Sequence, residues 1–187
     1  MDIIRKVSTV NTTEAVGREI RYIVVHYTAG LCSGAGAAQK VADWFDHGPR
    51  QASADFIVDD ETTIQYNPDP ANRYCWSVGG PRQETSGGSL FGTAGNANSI
   101  SVEICSTNHT GQMTQANDPA WSYTDAVLDR AAKLIQYLMK TYHVDSSHVI
   151  RHYDVNGKLC PGIIGWNAET GDESKWEAFK ERLKQEV

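Results

Sequence analysis

Short β-branched runs that alternate with segments of helical period predict an α/β protein, a central β-sheet with α-helices packed against it. Three stretches carry this expectation. Tyr22 to Val25 is a compact apolar run that reads as a central strand. Ser99 to Cys105 alternates, so that Ile100, Val102 and Ile104 face one way while Ser101, Glu103 and Cys105 face the other. Tyr123 to Tyr142 repeats Val127, Leu128, Ala131, Leu134, Ile135, Leu138, Met139 and Tyr142 at helical spacing, with Asp129, Arg130 and Lys133 opposite.

The other elements follow in chain order. Residues 34–48 read as a helix whose Ala37, Val41, Trp44 and Phe45 share a face, stopped by Gly48-Pro49, with His47 as a C-terminal charge or cap. Phe56 to Val58 and Thr63 to Tyr66 read as strands around an acidic turn. Trp76 stands beside this region and is expected in the core, although it could stack on a substrate. Residues 79–98 are glycine-rich without an apolar period, which predicts a binding loop or a disordered surface. His109, His143 and His148 lie in polar connections and are expected to be exposed. Val149-Ile150 reads as a short strand, and Ser174 to Glu177 as a capping box opening a helix that docks Trp176, Phe179 and Leu183 on the sheet.

The chain has 187 residues and a net charge of −6. Residues 1–187 therefore read as one domain, with its core at about 20–185. The acidic balance argues against nucleic acid or an anionic membrane as partner. No stretch approaches the roughly 20 apolar residues of a membrane span, and the first ten residues are too mixed for a secretory signal, so synthesis in the cytoplasm is expected. Four cysteines, one of them read below as a metal ligand, leave Cys32, Cys75 and Cys105, an odd set that speaks against a disulfide framework. Cys105 reads as inert core; whether Cys32 and Cys75 pair depends on the fold.

Residues 151–162, RHYDVNGKLCPG, carry the chemistry. Imidazole nitrogen and thiolate sulfur are preferred zinc ligands, and a reversal at Asn156-Gly157 would turn Lys158 and Cys160 to the side of His152. The third ligand is His26, at the end of the Tyr22 strand, where it would emerge at the edge of the sheet. Three protein ligands leave one tetrahedral position for water, the catalytic pattern. The alternative, a satisfied core histidine and a small buried cysteine, fits either residue singly better than it fits the three together.

VVHYTAG, SADFIVDD, NSISVEIC and HYDVNGKLCPG stand in the order seen in zinc-dependent N-acetylmuramoyl-L-alanine amidases of the amidase-2 family, and the chain from about Arg21 to Gly165 resembles them. It is most similar to catalytic domains of endolysins and prophage lysins. The resemblance implies a mixed sheet flanked by helices in a single domain, a Zn2+ ion on His26, His152 and Cys160, and cleavage of the bond between N-acetylmuramic acid and L-alanine in peptidoglycan. It matches Glu103 to the glutamate placed beside the zinc and gives Lys158 the role of oxyanion stabiliser, with Trp76, Thr28 and Asn98 as substrate-binding residues. The family's tyrosine or histidine facing the cleft falls at Ala54 and Asp55 here, so an acid or base must come from another segment. Ser77 replaces the family's cleft histidine. No wall-binding repeat is visible, so either the substrate is met at high local concentration, as after holin-dependent release, or a binding domain lies outside this chain; a monomer is expected. A non-cutting recognition module of the same fold is the alternative, but such modules typically lack the cysteine ligand. A structural zinc site would need a fourth ligand, for which Asp55 is the candidate.

Overall fold

The computed structural model describes residues 2–30 and 34–184. Six strands form a mixed sheet: β1 (Ile4–Arg5), β3 (Tyr22–Tyr27), β4 (Phe56–Val58), β5 (Thr63–Gln65), β7 (Ser99–Ile104) and β10 (Val149–Arg151), in the order β1-β5-β4-β7-β3-β10. β4, β7, β3 and β10 run parallel, and β5 turns back against β4. The interior strands are buried on both faces, which is why Tyr22–Tyr27 reads as an almost unbroken apolar run. Two small ribbons lie outside the sheet, β2 (Thr12–Glu14) with β6 (Arg73–Cys75) and β8 (Thr107–Asn108) with β9 (Trp121–Ser122).

One face of the sheet presents Ile23, Val25, Phe56, Val58, Ile100, Val102 and Ile104 to helix α2 (Asp125–Tyr142). The helix begins two residues later than its apolar pattern, because the Thr124 hydroxyl accepts from Val127 N and caps it. Helix α4 (Ser174–Arg182) follows, but no capping box forms. Ser174 is the first helical residue and donates to Asp172 Oδ1 at 2.9 Å, while the preceding Glu173 carboxylate is drawn to Arg151. Trp176, Phe179 and Leu183 join the core cluster on this face of the sheet, with the rings of Trp176 and Phe179 against Trp166. No helix among the described residues is long and apolar enough to cross a membrane.

The opposite face is covered in two separate pieces. Helix α1 (Ala37–His47) seats Ala37, Ala38, Ala42 and Phe45 against Ile57, Ile64 and Cys105. The buried face is thus rotated from the expected one, since the small alanines allow a close approach and leave Trp44 43% exposed. On the other side, Val24, Ile150 and Val155 pack with Val78 and with Leu90 and Ala94 of the segment 79–98. That segment is neither free nor disordered. Gln83 N donates to Asn156 O, Gly88 N to Tyr153 O and Leu90 N to Asp154 O, so it straps helix α3 (His152–Asn156) to the sheet. Gly87 permits this approach, as a Cβ there would lie 2.6 Å from Tyr153 O.

Candidate metal centre

Between the two apolar pieces a polar column remains on the sheet. His26 and Glu103 are register partners on adjacent parallel strands, on the face turned away from α2, with Ser101 two residues back on β7. β7 is an interior strand, so Glu103 is half-buried rather than solvated at an edge. His26 likewise lies inside a strand that continues through Tyr27, and is 2% exposed.

His152 is the first residue of α3, directly after β10, and β10 pairs with β3. The reversal after it differs from a hairpin turn. Residues 152–156 form one helical turn, ended by Gly157 in the left-handed region at φ 81°, and the chain then folds back so that Tyr153 N donates to Cys160 O. Arg151 fixes this junction. Its guanidinium donates twice to Asp154, once to Trp166 O and once to Glu173, and Asp154 Oδ2 accepts from Arg151 N.

The result is a buried cluster. His26, His152 and Cys160 each bring one ligand atom within 4.8 Å of the others. The two Nδ1 atoms are 3.2 Å apart, and Cys160 Sγ is 3.6 Å from His26 Nδ1. Tetrahedral angles at ordinary zinc bond lengths give about 3.3 Å between nitrogens and about 3.6 Å from nitrogen to sulfur. Both Nε2 atoms are buried without hydrogen-bond partners among the described residues, so the rings are not held here as satisfied core histidines. Burial, then the neighbouring His152 and Lys158, holds His26 well below its ordinary pKa; burial, Lys158 and Arg50 bring His152 down to about 3. Neutral imidazoles are what a metal requires. Burial and the Glu103 charge push the Cys160 thiol up to about 12, against the pull of Lys158 and the Tyr27 N–H. The donor set and its spacing fit zinc.

Lys158 is half-buried and acts electrostatically on all three candidate ligands. Arg50, which sequence reasoning passed over, acts on two of them. Asp55 is not a fourth ligand. It is buried elsewhere on the sheet, accepting from Asn67 Nδ2 at 2.6 Å and Ser101 N at 2.8 Å, and burial raises its pKa. Trp76 is 37% exposed rather than core, its Nε1 donating to Thr13, while the next residue, Ser77, touches the Ser101 hydroxyl in the polar column. Thr28 follows β3 and meets Ser106 at 3.2 Å. Asn98 lies at the opposite end of β7 from Glu103, about 16 Å along the strand, closing a turn on Gly95 and Thr93. His47 bonds back to Asp43 O as a helix-end group, His109 and His143 are exposed, and His148 is half-buried against Tyr22. Cys105 is buried beneath α1, and Cys32 lies outside the described residues, so its pairing with Cys75 is not addressed.

The α/β sheet carries a buried His-His-Cys cluster, a donor set that could hold a metal ion, where β3 ends and β10 leads into α3. The chain belongs to the N-acetylmuramoyl-L-alanine amidase family, Amidase_2, whose profile matches residues 16–163. It is 29% identical over 166 residues to N-acetylmuramoyl-L-alanine amidase CwlA of Bacillus subtilis (strain 168), an alignment covering 89% of this chain and 50% of CwlA. The catalytic domain of XlyA superposes with a TM-score of 0.68 at 25% identity, covering 98% of this chain and 99% of that one. A mutant endolysin from Bacillus subtilis superposes with a TM-score of 0.64 at 28% identity, covering 97% and 98%. The chain thus spans about half the length of the curated relative it matches.

Proposed function

We propose that this chain is a zinc-dependent amidase that hydrolyses the bond between the lactyl group of N-acetylmuramic acid and the first L-alanine of the stem peptide, as a phage or prophage endolysin or a bacterial autolysin. The observation that carries the reading is the convergence of His26, His152 and Cys160 beside Glu103, its register partner on β7. When bound, zinc supplies a water of lowered pKa and polarises the amide carbonyl.

The chain's own groups do the rest. Glu103 accepts the proton of the attacking water and passes it to the departing alanine nitrogen. Lys158, a half-buried cation beside the cluster, stabilises the negative charge that develops on the carbonyl oxygen. Trp76, exposed on the wall next to Ser77 and Ser101, offers a flat apolar surface to the glycan or peptide, and Thr28 lines the end of β3. Its substrate lies in the cell wall.

The test is digestion of purified sacculi with and without a chelator, scoring new alanine amino termini against new reducing sugars. Chelator-sensitive alanine termini without reducing ends are expected. Binding without release by zinc-loaded protein would replace the amidase by a recognition module.

A further inference from the structure

Asn156 ends α3 and is 2% exposed, so its side-chain amide is buried between His152 and the loop that carries Lys158 and Cys160. Both ends of that amide are used. Its Oδ1 accepts from Lys158 N at 3.1 Å, and its Nδ2 donates to Gly79 O at 3.2 Å. An amide holds an acceptor and a donor in one rigid plane, which suits it to bridge an N–H of one segment and a carbonyl of another.

The two segments it joins both border the candidate centre. On one side Lys158 O accepts from Cys160 N at 2.7 Å, and Cys160 O from Tyr153 N at 3.0 Å. The bond to Lys158 N therefore begins a run of backbone hydrogen bonds that reaches the residue bearing the sulfur. On the other side Gly79 follows Ser77 and Val78, whose N–H groups donate to Asn96 Oδ1 at 3.0 and 2.8 Å, while the Ser77 hydroxyl meets that of Ser101 in the polar column. The strap is attached without the Asn156 side chain, since Gln83 N donates to Asn156 O and Thr85 Oγ1 to Gly157 O, each at 2.7 Å. The two amide bonds are left to fix the Lys158–Cys160 loop against the Ser77 segment. We infer that Asn156 is a positioning residue of the metal centre, its amide setting the course of the chain from Gly157 to Cys160 and so the place of the sulfur. The inference rests on the zinc reading above.

The test compares the full chain with Asn156→Ala, which removes both bonds, and with Asn156→Ser, whose shorter hydroxyl can still accept from Lys158 N in a serine turn but falls short of Gly79. Zinc affinity is read by chelator competition, turnover on sacculi at saturating Zn2+, and Tm on the metal-free protein. Asn156→Ala should bind zinc about 10–100-fold more weakly and lose turnover by a similar factor. Asn156→Ser should recover most of the affinity while still melting below the wild type, because the anchor on Gly79 is gone. Wild-type zinc affinity in the alanine variant, with only a lower Tm, would mark a packing role and overturn the assignment, and so would equal losses of affinity in the two variants. If the alanine variant does not fold, a loss of about tenfold or more in the serine variant overturns the assignment, and near-wild-type affinity at a lowered Tm supports it. A wild-type protein that binds Co2+ without any sulfur-to-cobalt charge-transfer band would instead remove the zinc reading and this inference together.

Discussion

Arg151→Met tests whether the junction of β10 and α3 is held by charge, because this arginine immediately precedes His152. Its side chain is 7% exposed and ties four pieces of the chain: Asp154 of α3, Trp166 O, Glu173 before α4, and the rings of Tyr153 and Trp176, which lie 5.1 and 5.2 Å from the guanidinium. Removing one partner of a buried ion pair costs about 3–5 kcal/mol. The low end applies here, since Asp154 and Glu173 keep 19% and 36% exposure and can recover some water after the cation is gone. Methionine retains much of the apolar stem. About 3 kcal/mol corresponds to a fall of roughly 6–12 °C in Tm for a domain of this size. The assay is calorimetric melting of the metal-free protein, with Asp154→Asn and the double variant completing a mutant cycle. A fall below about 3 °C, or a coupling energy below about 0.5 kcal/mol, would refute the argument that the Arg151–Asp154 pair sets this corner.

Other substitutions separate the roles assigned at the centre. Cys160→Ser should weaken zinc binding beyond the roughly 10–100-fold typical of an outer partner, read by chelator competition. Glu103→Gln should retain zinc and lose about 10²–10⁴-fold in turnover on sacculi; full activity would remove Glu103 from the mechanism. Lys158→Ala should cost about 10²–10³-fold in turnover with Tm unchanged, and an unchanged rate would take the oxyanion role from it. Lys180 gives a pH signature. Burial lowers its pKa to about 8, against an unfolded value of 10.5, while it donates to Ser146 O and Val149 O. The unfolded chain therefore holds more protons between these values, so Lys180 penalises the fold below about pH 8 and the penalty fades as pH rises toward 10.5. Lys180→Met should flatten the rise in urea-unfolding free energy between pH 8 and 10; an unaltered slope would exclude the effect.

Much of this architecture is legible where a local pattern and burial agree. Ser99 to Cys105 discloses both its faces because each alternate residue meets a different layer, α2 on one side and the cleft on the other. What was illegible depends on distant partners. The aperiodic segment 79–98 reads as a binding loop or a disordered surface, yet its backbone N–H groups are taken up by Tyr153, Asp154 and Asn156, some 70 positions away. Ser174 and Glu177 have the spacing of a capping box, but Arg151 recruits Glu173 and the helix starts differently. Counting large apolar residues on α1 favours Trp44, whereas close packing favours Ala38 and Ala42. Trp76 reads as core beside a strand, but among the described residues that strand, β6, pairs with β2 in the outer ribbon, and the ring is left partly in solvent.

The fold and the centre are constrained by the same alternation. Glu103 shares a face with Ser101 only because Ile100, Val102 and Ile104 occupy the other one, and His26 faces the cleft only because Val25 and Tyr27 face α2. A slip of one residue between β3 and β7 would carry Glu103 into an apolar layer and break its register with His26 at once. Each apolar side chain buried against α2 contributes about 1.5–3 kcal/mol, so such a slip is opposed by several of these terms together. The packing that stabilises the sheet thereby holds the carboxylate beside the cluster. The polar column lies between the apolar cluster beneath α1 and the one beneath the strap over α3.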